Sequence, residues 1–107
     1  MSIFDFFKQP DINKGIKEYA ETKNAVLLDV RTPQEYREGH IPKSINLPLQ
    51  TIENVKNITE NKDTALFVYC YSGARSRQAT AMLQSLGYTN VQNIGGIADY
   101  QGEVESI

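Results

Sequence analysis

One cysteine, Cys70, is the whole thiol supply of this 107-residue chain. That scarcity excludes an intramolecular disulfide, a multi-cysteine metal site and a redox enzyme with an internal resolving thiol. Histidine is equally scarce, and His40 stands alone. No apolar run approaches the ~18 residues of a membrane-spanning helix. The first residues lack the basic stretch followed by an apolar one that marks a signal peptide. Lys+Arg number 11 against 13 Asp+Glu, a formal net charge of −2, so no basic excess points to nucleic acid. Internal repeats, low-complexity segments and linkers are missing too. What remains is one domain over residues 1–107, with a free thiol that suits a cytoplasmic, reducing setting. The apolar fraction of 40% and charged fraction of 22% are ordinary for a globular protein of a length that can bury a core unaided.

The stretch Cys70-Tyr71-Ser72-Gly73-Ala74-Arg75-Ser76 organises the rest. Ala65 to Tyr69 before it is a short apolar run rich in β-formers and reads as a buried strand. After it, Ala79, Met82, Leu83 and Leu86 recur at helical spacing, and Gly87 is a stop signal. Cys70 therefore stands where a strand ends and a helix begins. Ligands bind at the carboxyl ends of strands in open α/β sheets, and a helix N-terminus offers free N–H groups and partial positive charge. A lone cysteine after a strand is often a small buried hydrophobe. Here it ends the apolar run, small turn formers follow, and Arg75 brings a planar fork of donors suited to an anion.

Taken from the start, Phe4, Phe6 and Phe7 suit either an edge strand or a packed arm. Asp11 is placed to cap a helix with Ile12, Ile16, Tyr19 and Ala20 on its apolar face, ended by Asn24. Ala25 to Val30 is a second buried strand, with Asp29 and Arg31 at its end as site-supporting residues. Thr32-Pro33-Gln34-Glu35 is a capping box with proline at the first helical position, and the helix stops at Gly39. His40 follows; with no nucleophile or carboxylate patterned beside it, it reads as a hydrogen-bonded loop residue and not a general base. Ile45 to Leu47 is a third strand. Leu49, Ile52, Val55 and Ile58 mark another helix, Val91 to Ile94 a further strand, and Ile97, Ala98 and Tyr100 a last helix before a frayed tail. Gly95-Gly96 at a strand end lets backbone come close to something. The alternation implies an α/β fold: a mostly parallel sheet of four to five strands flanked by helices on both faces. Right-handed crossovers would put the Asp29–Arg31, Cys70 and Gly95–Gly96 loops on one edge.

Several of these segments together resemble the rhodanese homology domain in its small single-domain form. Leu28-Asp29-Val30-Arg31 with Glu35-Tyr36, Gly39-His40-Ile41 and Ser44 to Pro48 resembles that family's first signature, and Leu86-Gly87-Tyr88, Val91 and Gly95-Gly96-Ile97 its last. Cys70 to Ser76 resembles its active-site loop, and the likeness runs over about residues 11–102 in one order. Tyr100 stands where a tryptophan is frequent, and Lys43 where a glycine is common. The resemblance implies a sulfurtransferase that carries sulfane sulfur on a cysteine persulfide.

The chemistry of the residues agrees with that implication. An ordinary thiol has pKa ~8.5, lowered by a helix N-terminus or a nearby arginine. Cys70 as thiolate would attack the outer sulfur of a small anionic donor such as thiosulfate. N–H groups of Tyr71, Ser72, Gly73, Ala74, Arg75 and Ser76 would cradle the sulfur, and Arg75 would neutralise the donor. Cyanide, a thiol or a protein sulfur acceptor would then take the sulfur, with no metal or organic cofactor. Two other classes compete. Cysteine phosphatases and arsenate reductases carry one more residue between cysteine and arginine; the four between Cys70 and Arg75 make a cradle too tight for a tetrahedral oxyanion, and Arg77 overshoots. A non-catalytic binding module would have no need of Cys70 and Arg75.

Overall fold

The computed structural model describes residues 9–107. Phe4, Phe6 and Phe7, read above as an edge strand or a packed arm, lie outside the described residues. The chain runs α1 (Ile12–Glu21), β1 (Val26–Asp29), α2 (Pro33–Glu38), β2 (Ile45–Asn46), a 3-10 stretch (Leu49–Asn57), β3 (Leu66–Cys70), α3 (Ala74–Ser85), β4 (Val91–Gly96) and a 3-10 turn (Ile97–Asp99).

Local signals account for most of these boundaries. Asp11 caps α1 by accepting from the N–H groups of Asn13 and Lys14. Thr32 and Glu35 close the capping box of α2, Pro33 opens the helix and Gly39 ends it. Gly87, with φ of +100°, turns the chain after α3. The three-residue recurrence from Leu49 to Ile58 matches a 3-10 stretch, which has three residues per turn, kinked at Thr51.

The four strands form one parallel sheet in the order β2-β1-β3-β4. Every step between neighbours is a crossover, so all carboxyl ends meet on one edge, and the three loops share it as expected. Side chains alternate across the sheet and feed a core on each face. On one, Leu28, Val68, Cys70, Ala79 and Leu83 pack with Ile52 and Val55 of the 3-10 stretch. On the other, Leu27, Phe67, Tyr69 and Ile94 pack with Ile12 of α1. Both faces of β3 are covered, which is why its sequence is a continuous apolar run and not an alternating one.

Three expectations need correction. The last helix expected at Ile97, Ala98 and Tyr100 is a single 3-10 turn, Ile97–Asp99, ended by extended backbone at Tyr100. The tail is not frayed: His40 and Glu105 exchange backbone hydrogen bonds of 2.8 Å in each direction, and Ile107 N–H donates to Arg37 O at 2.9 Å. Met82 and Leu86 of the α3 stripe are solvent-facing, and the buried stripe is Ser76, Ala79 and Leu83. Among the described residues, no helix is long and apolar enough to cross a membrane.

Candidate active site

β3 ends at Cys70, and the chain turns at once through Tyr71 and Ser72 into α3. Gly73 makes the turn possible, with φ of +102° that a side chain would strain. Cys70 lies at the floor of this loop and is only 1% exposed. Gly73 N–H donates to Cys70 Sγ at 3.0 Å, and Ser76 Oγ lies 3.4 Å from the same sulfur. Burial opposes ionisation of the thiol and is the largest single influence on it. The Ser76 hydroxyl and the N–H groups of Ser76, Gly73 and Ser72 outweigh it, so the Cys70 pKa falls below its ordinary value.

The neighbouring strand end seals the loop. Cys70 pairs with Gly96, and Ala98 N–H donates to Tyr71 O at 3.0 Å. A Cβ on Gly96 would stand 2.1 Å from Tyr71 O and 2.6 Å from Ser72 Cα. The close approach expected at the glycine pair is thus made by the cysteine loop itself. Tyr71 is exposed at the mouth and borders a cleft of about 350 Å³, whose walls include Arg31, Glu35, Ile97 and Val104.

Arg75 is not free to reach into the mouth, contrary to expectation. Its fork holds Glu35 of α2 bidentately, at 2.7 Å and 3.0 Å, strapping α2 to α3. The guanidinium hydrogen bond holds the Glu35 carboxyl at a pKa of about 2, against burial that pushes the other way. The same pairing raises the Arg75 pKa.

Asp29 and Arg31 form a separate buried pair beneath this edge. Asp29 Oδ2 accepts from Arg31 Nη2 at 2.7 Å, and Oδ1 accepts from the Arg31 backbone N–H at 2.9 Å. Arg31 Nη2 also donates to Gly39 O at 2.6 Å, so the pair ties β1 to the end of α2. Burial lowers the Arg31 pKa and the Asp29 carboxylate more than restores it. The side-chain hydrogen bonds of the pair go to each other and to Gly39 O, and both residues brace the edge. His40 donates from Nδ1 to Tyr36 O at 2.7 Å and stacks on the Tyr36 ring at 3.7 Å, which makes it a bracing residue of α2.

Two residues of the site escaped sequence reasoning. Asn46 donates from Nδ2 to the Asp29 and Arg31 carbonyls, both at 3.0 Å, and so closes the end of β1. Asn93 accepts from Ser76 Oγ at 2.7 Å and from Gly95 N–H at 3.0 Å. The available signal was an amide within a strand, half-buried at both positions, where its polar atoms need partners.

The comparisons with known proteins agree with this geometry. The rhodanese-like domain model matches residues 13–103. The thiosulfate sulfurtransferase PspE of Escherichia coli strain K12 is 38% identical over 73 residues, 67% of this chain and 70% of that protein. A sulfurtransferase of Allochromatium vinosum is 42% identical over 77 residues, 72% of this chain and 71% of its own. A solved structure described as rhodanese with anions from E. coli superposes with a TM-score of 0.72 at 34% identity, over 77% of this chain and 98% of that one. A match of that extent, to a fold whose strand ends converge on one cysteine loop, means that the chain belongs to the rhodanese-like domain family.

Proposed function

We propose that the protein is a sulfurtransferase that moves sulfane sulfur from a thiosulfate-like donor to a cyanide or thiol acceptor, through a persulfide on Cys70. The observation that supports this most is the sulfur itself, buried at the floor of a tight loop with Gly73 N–H at 3.0 Å and Ser76 Oγ at 3.4 Å. The thiolate attacks the outer sulfur of the donor. A new S–S bond forms at Sγ, the old one breaks, and sulfite leaves with the bonding pair. The N–H groups of residues 71 to 76 steady the outer sulfur of the persulfide. An acceptor thiolate or cyanide then attacks that outer sulfur, and Sγ departs as the thiolate that began the cycle.

Tyr71, Ser72, Ala74 and Ser76 serve as the loop that shapes the pocket, and Arg75 adds a positive charge moderated by Glu35. Asp29 and Arg31 support the site without touching the reacting atoms. A protein sulfur acceptor fits the same exchange. The cycle needs Cys70 reduced between turnovers, a condition that the cytoplasm meets.

Mass spectrometry after incubation with thiosulfate tests the reading. Wild type gains one sulfur atom on Cys70 and loses it to cyanide, and Cys70→Ser gains none while keeping its circular dichroism spectrum. A wild-type protein that gains no sulfur overturns it.

A further inference from the structure

The Ser76 hydroxyl has one proton and several acceptors. It lies 2.7 Å from Asn93 Oδ1, 3.1 Å from Gly73 O, 3.4 Å from Gly95 O and 3.4 Å from Cys70 Sγ. Asn93 holds the shortest contact. Its orientation follows from Gly95, whose N–H can only donate, so the atom 3.0 Å away is the amide oxygen. The amide Nδ2 faces Gly73 O at 3.4 Å. Asn93 is set in register with Val68 of β3, and the irregularity in β4 that follows lets Gly95 and Gly96 line up with Tyr69 and Cys70.

One proton cannot satisfy two acceptors at once. With Cys70 as thiol, Sγ–H donates to Ser76 Oγ, and the Ser76 proton goes to Asn93. With Cys70 ionised, the sulfur is the strongest acceptor within reach, and the hydroxyl must leave Asn93 to serve it. We propose that Asn93 is a positioning residue for Cys70 that acts through Ser76, holding the hydroxyl proton while the sulfur is a thiol or persulfide and yielding it to the free thiolate. In a persulfide the charge sits on the outer sulfur, so the inner sulfur releases the hydroxyl to Asn93 again. A thiolate with fully saturated hydrogen bonds is stable but a weaker nucleophile. Competition from Asn93 keeps Cys70 short of that limit. The role deepens the sulfur-transfer reading above and rests on it, whereas the ionisation it governs is measurable in the free protein.

The surroundings leave few other groups to confuse that measurement. α3 brings Arg75, paired with Glu35 of α2. β1 brings Leu28, the residue just past its end is Val30, the 3-10 stretch brings Ile52 and Val55, and the turn after α3 brings Tyr88, whose hydroxyl donates to Thr59 O. β4 brings Asn93 and its glycines. Tyr71 of the loop faces solvent.

Ultraviolet absorbance of the thiolate against pH reads Cys70 without requiring a reagent to reach a buried sulfur. Asn93→Ala should lower the ionisation midpoint by roughly half a pH unit, the effect of weakening one competing hydrogen bond. Ser76→Ala should raise the midpoint, and adding Asn93→Ala to it should change nothing further. A rise or no shift in the single variant, or the same drop in both backgrounds, overturns the proposal. If Asn93→Ala does not fold by circular dichroism, Asn93→Asp keeps the shape and the Gly95 contact and strengthens the competing acceptor. Its midpoint must rise, and an unchanged midpoint overturns the proposal. Thiosulfate loading of wild type, weighed in parallel, separates the two ideas: failure to gain sulfur removes the sulfur-transfer reading and leaves the ionisation result standing.

Discussion

Arg75 shows how one side chain's partner alters its function. Its guanidinium is the positive charge nearest the cysteine loop on α3, yet both arms of its fork hold Glu35. Glu35 therefore cancels part of the field that Arg75 would otherwise present to an incoming anion. The two residues should give opposite phenotypes. Arg75→Ala removes a charge-assisted contribution of ~1.5–3 kcal/mol at full strength, so a moderated charge costs on the order of tenfold in kcat/KM for thiosulfate. Glu35→Gln frees the fork while keeping an acceptor for the helix cap, and kcat/KM should rise. Steady-state kinetics with thiosulfate and cyanide decide it. Equal rates in all three proteins would make Arg75 a strap alone. His40 illustrates the contrary case, a residue whose chemistry invites a catalytic role and whose hydrogen bond and stacking assign it to the frame.

At the scale of elements, the decisive contact is between a loop and a strand end. Gly96 lies directly under Tyr71 and Ser72, with room for hydrogen and nothing larger. Gly96→Ala should displace the loop, withdraw the Gly73 N–H from the sulfur and return the Cys70 ionisation towards that of an ordinary thiol, ~8.5. It should also cost a few kcal/mol of stability, as overpacking does. A thiolate titration that matched wild type would show that the loop tolerates the methyl group. Much of this level was legible from the chain. Asp11, the Thr32–Glu35 box and Gly87 marked helix ends, because caps are local chemistry written within four residues. Cys70 at a strand-to-helix junction and the crowding at Gly95-Gly96 were legible for the same reason. The Glu35–Arg75 strap, the Asn46 bracket and the Asn93–Ser76 contact were not, since each joins residues far apart in sequence. The tail deceived for the same cause: nothing within Glu103 to Ile107 announces a pairing with His40 and Arg37.

For the whole molecule, two ion pairs hold the edge together in different ways. Asp29–Arg31 is buried, and Glu35–Arg75 is about a third exposed. Glu35 titrates at about 2 when folded against 4.5 ordinarily, so its pairing stabilises the fold fully above the ordinary value and is lost as pH falls towards 2. Wild type should therefore lose melting temperature across that window more steeply than Glu35→Gln, and added salt should narrow the gap. Superimposable acid limbs would assign the strap no part in stability. The sheet order β2-β1-β3-β4 carries one more consequence, for the order in which the molecule is made. A parallel sheet has no hairpins, and each strand meets its neighbour only after an intervening crossover has formed. The cysteine is translated before β4, yet its loop is closed by Gly96, Ala98 and Asn93. A nascent chain that has emerged only as far as α3 already carries Gly73 and Ser76, the groups that contact the sulfur, but not the strand end that closes their loop. If sulfur transfer proceeds as proposed, the loop that would carry the sulfur is closed only when the last strand is in place, so the order of synthesis puts a complete site at the end of folding.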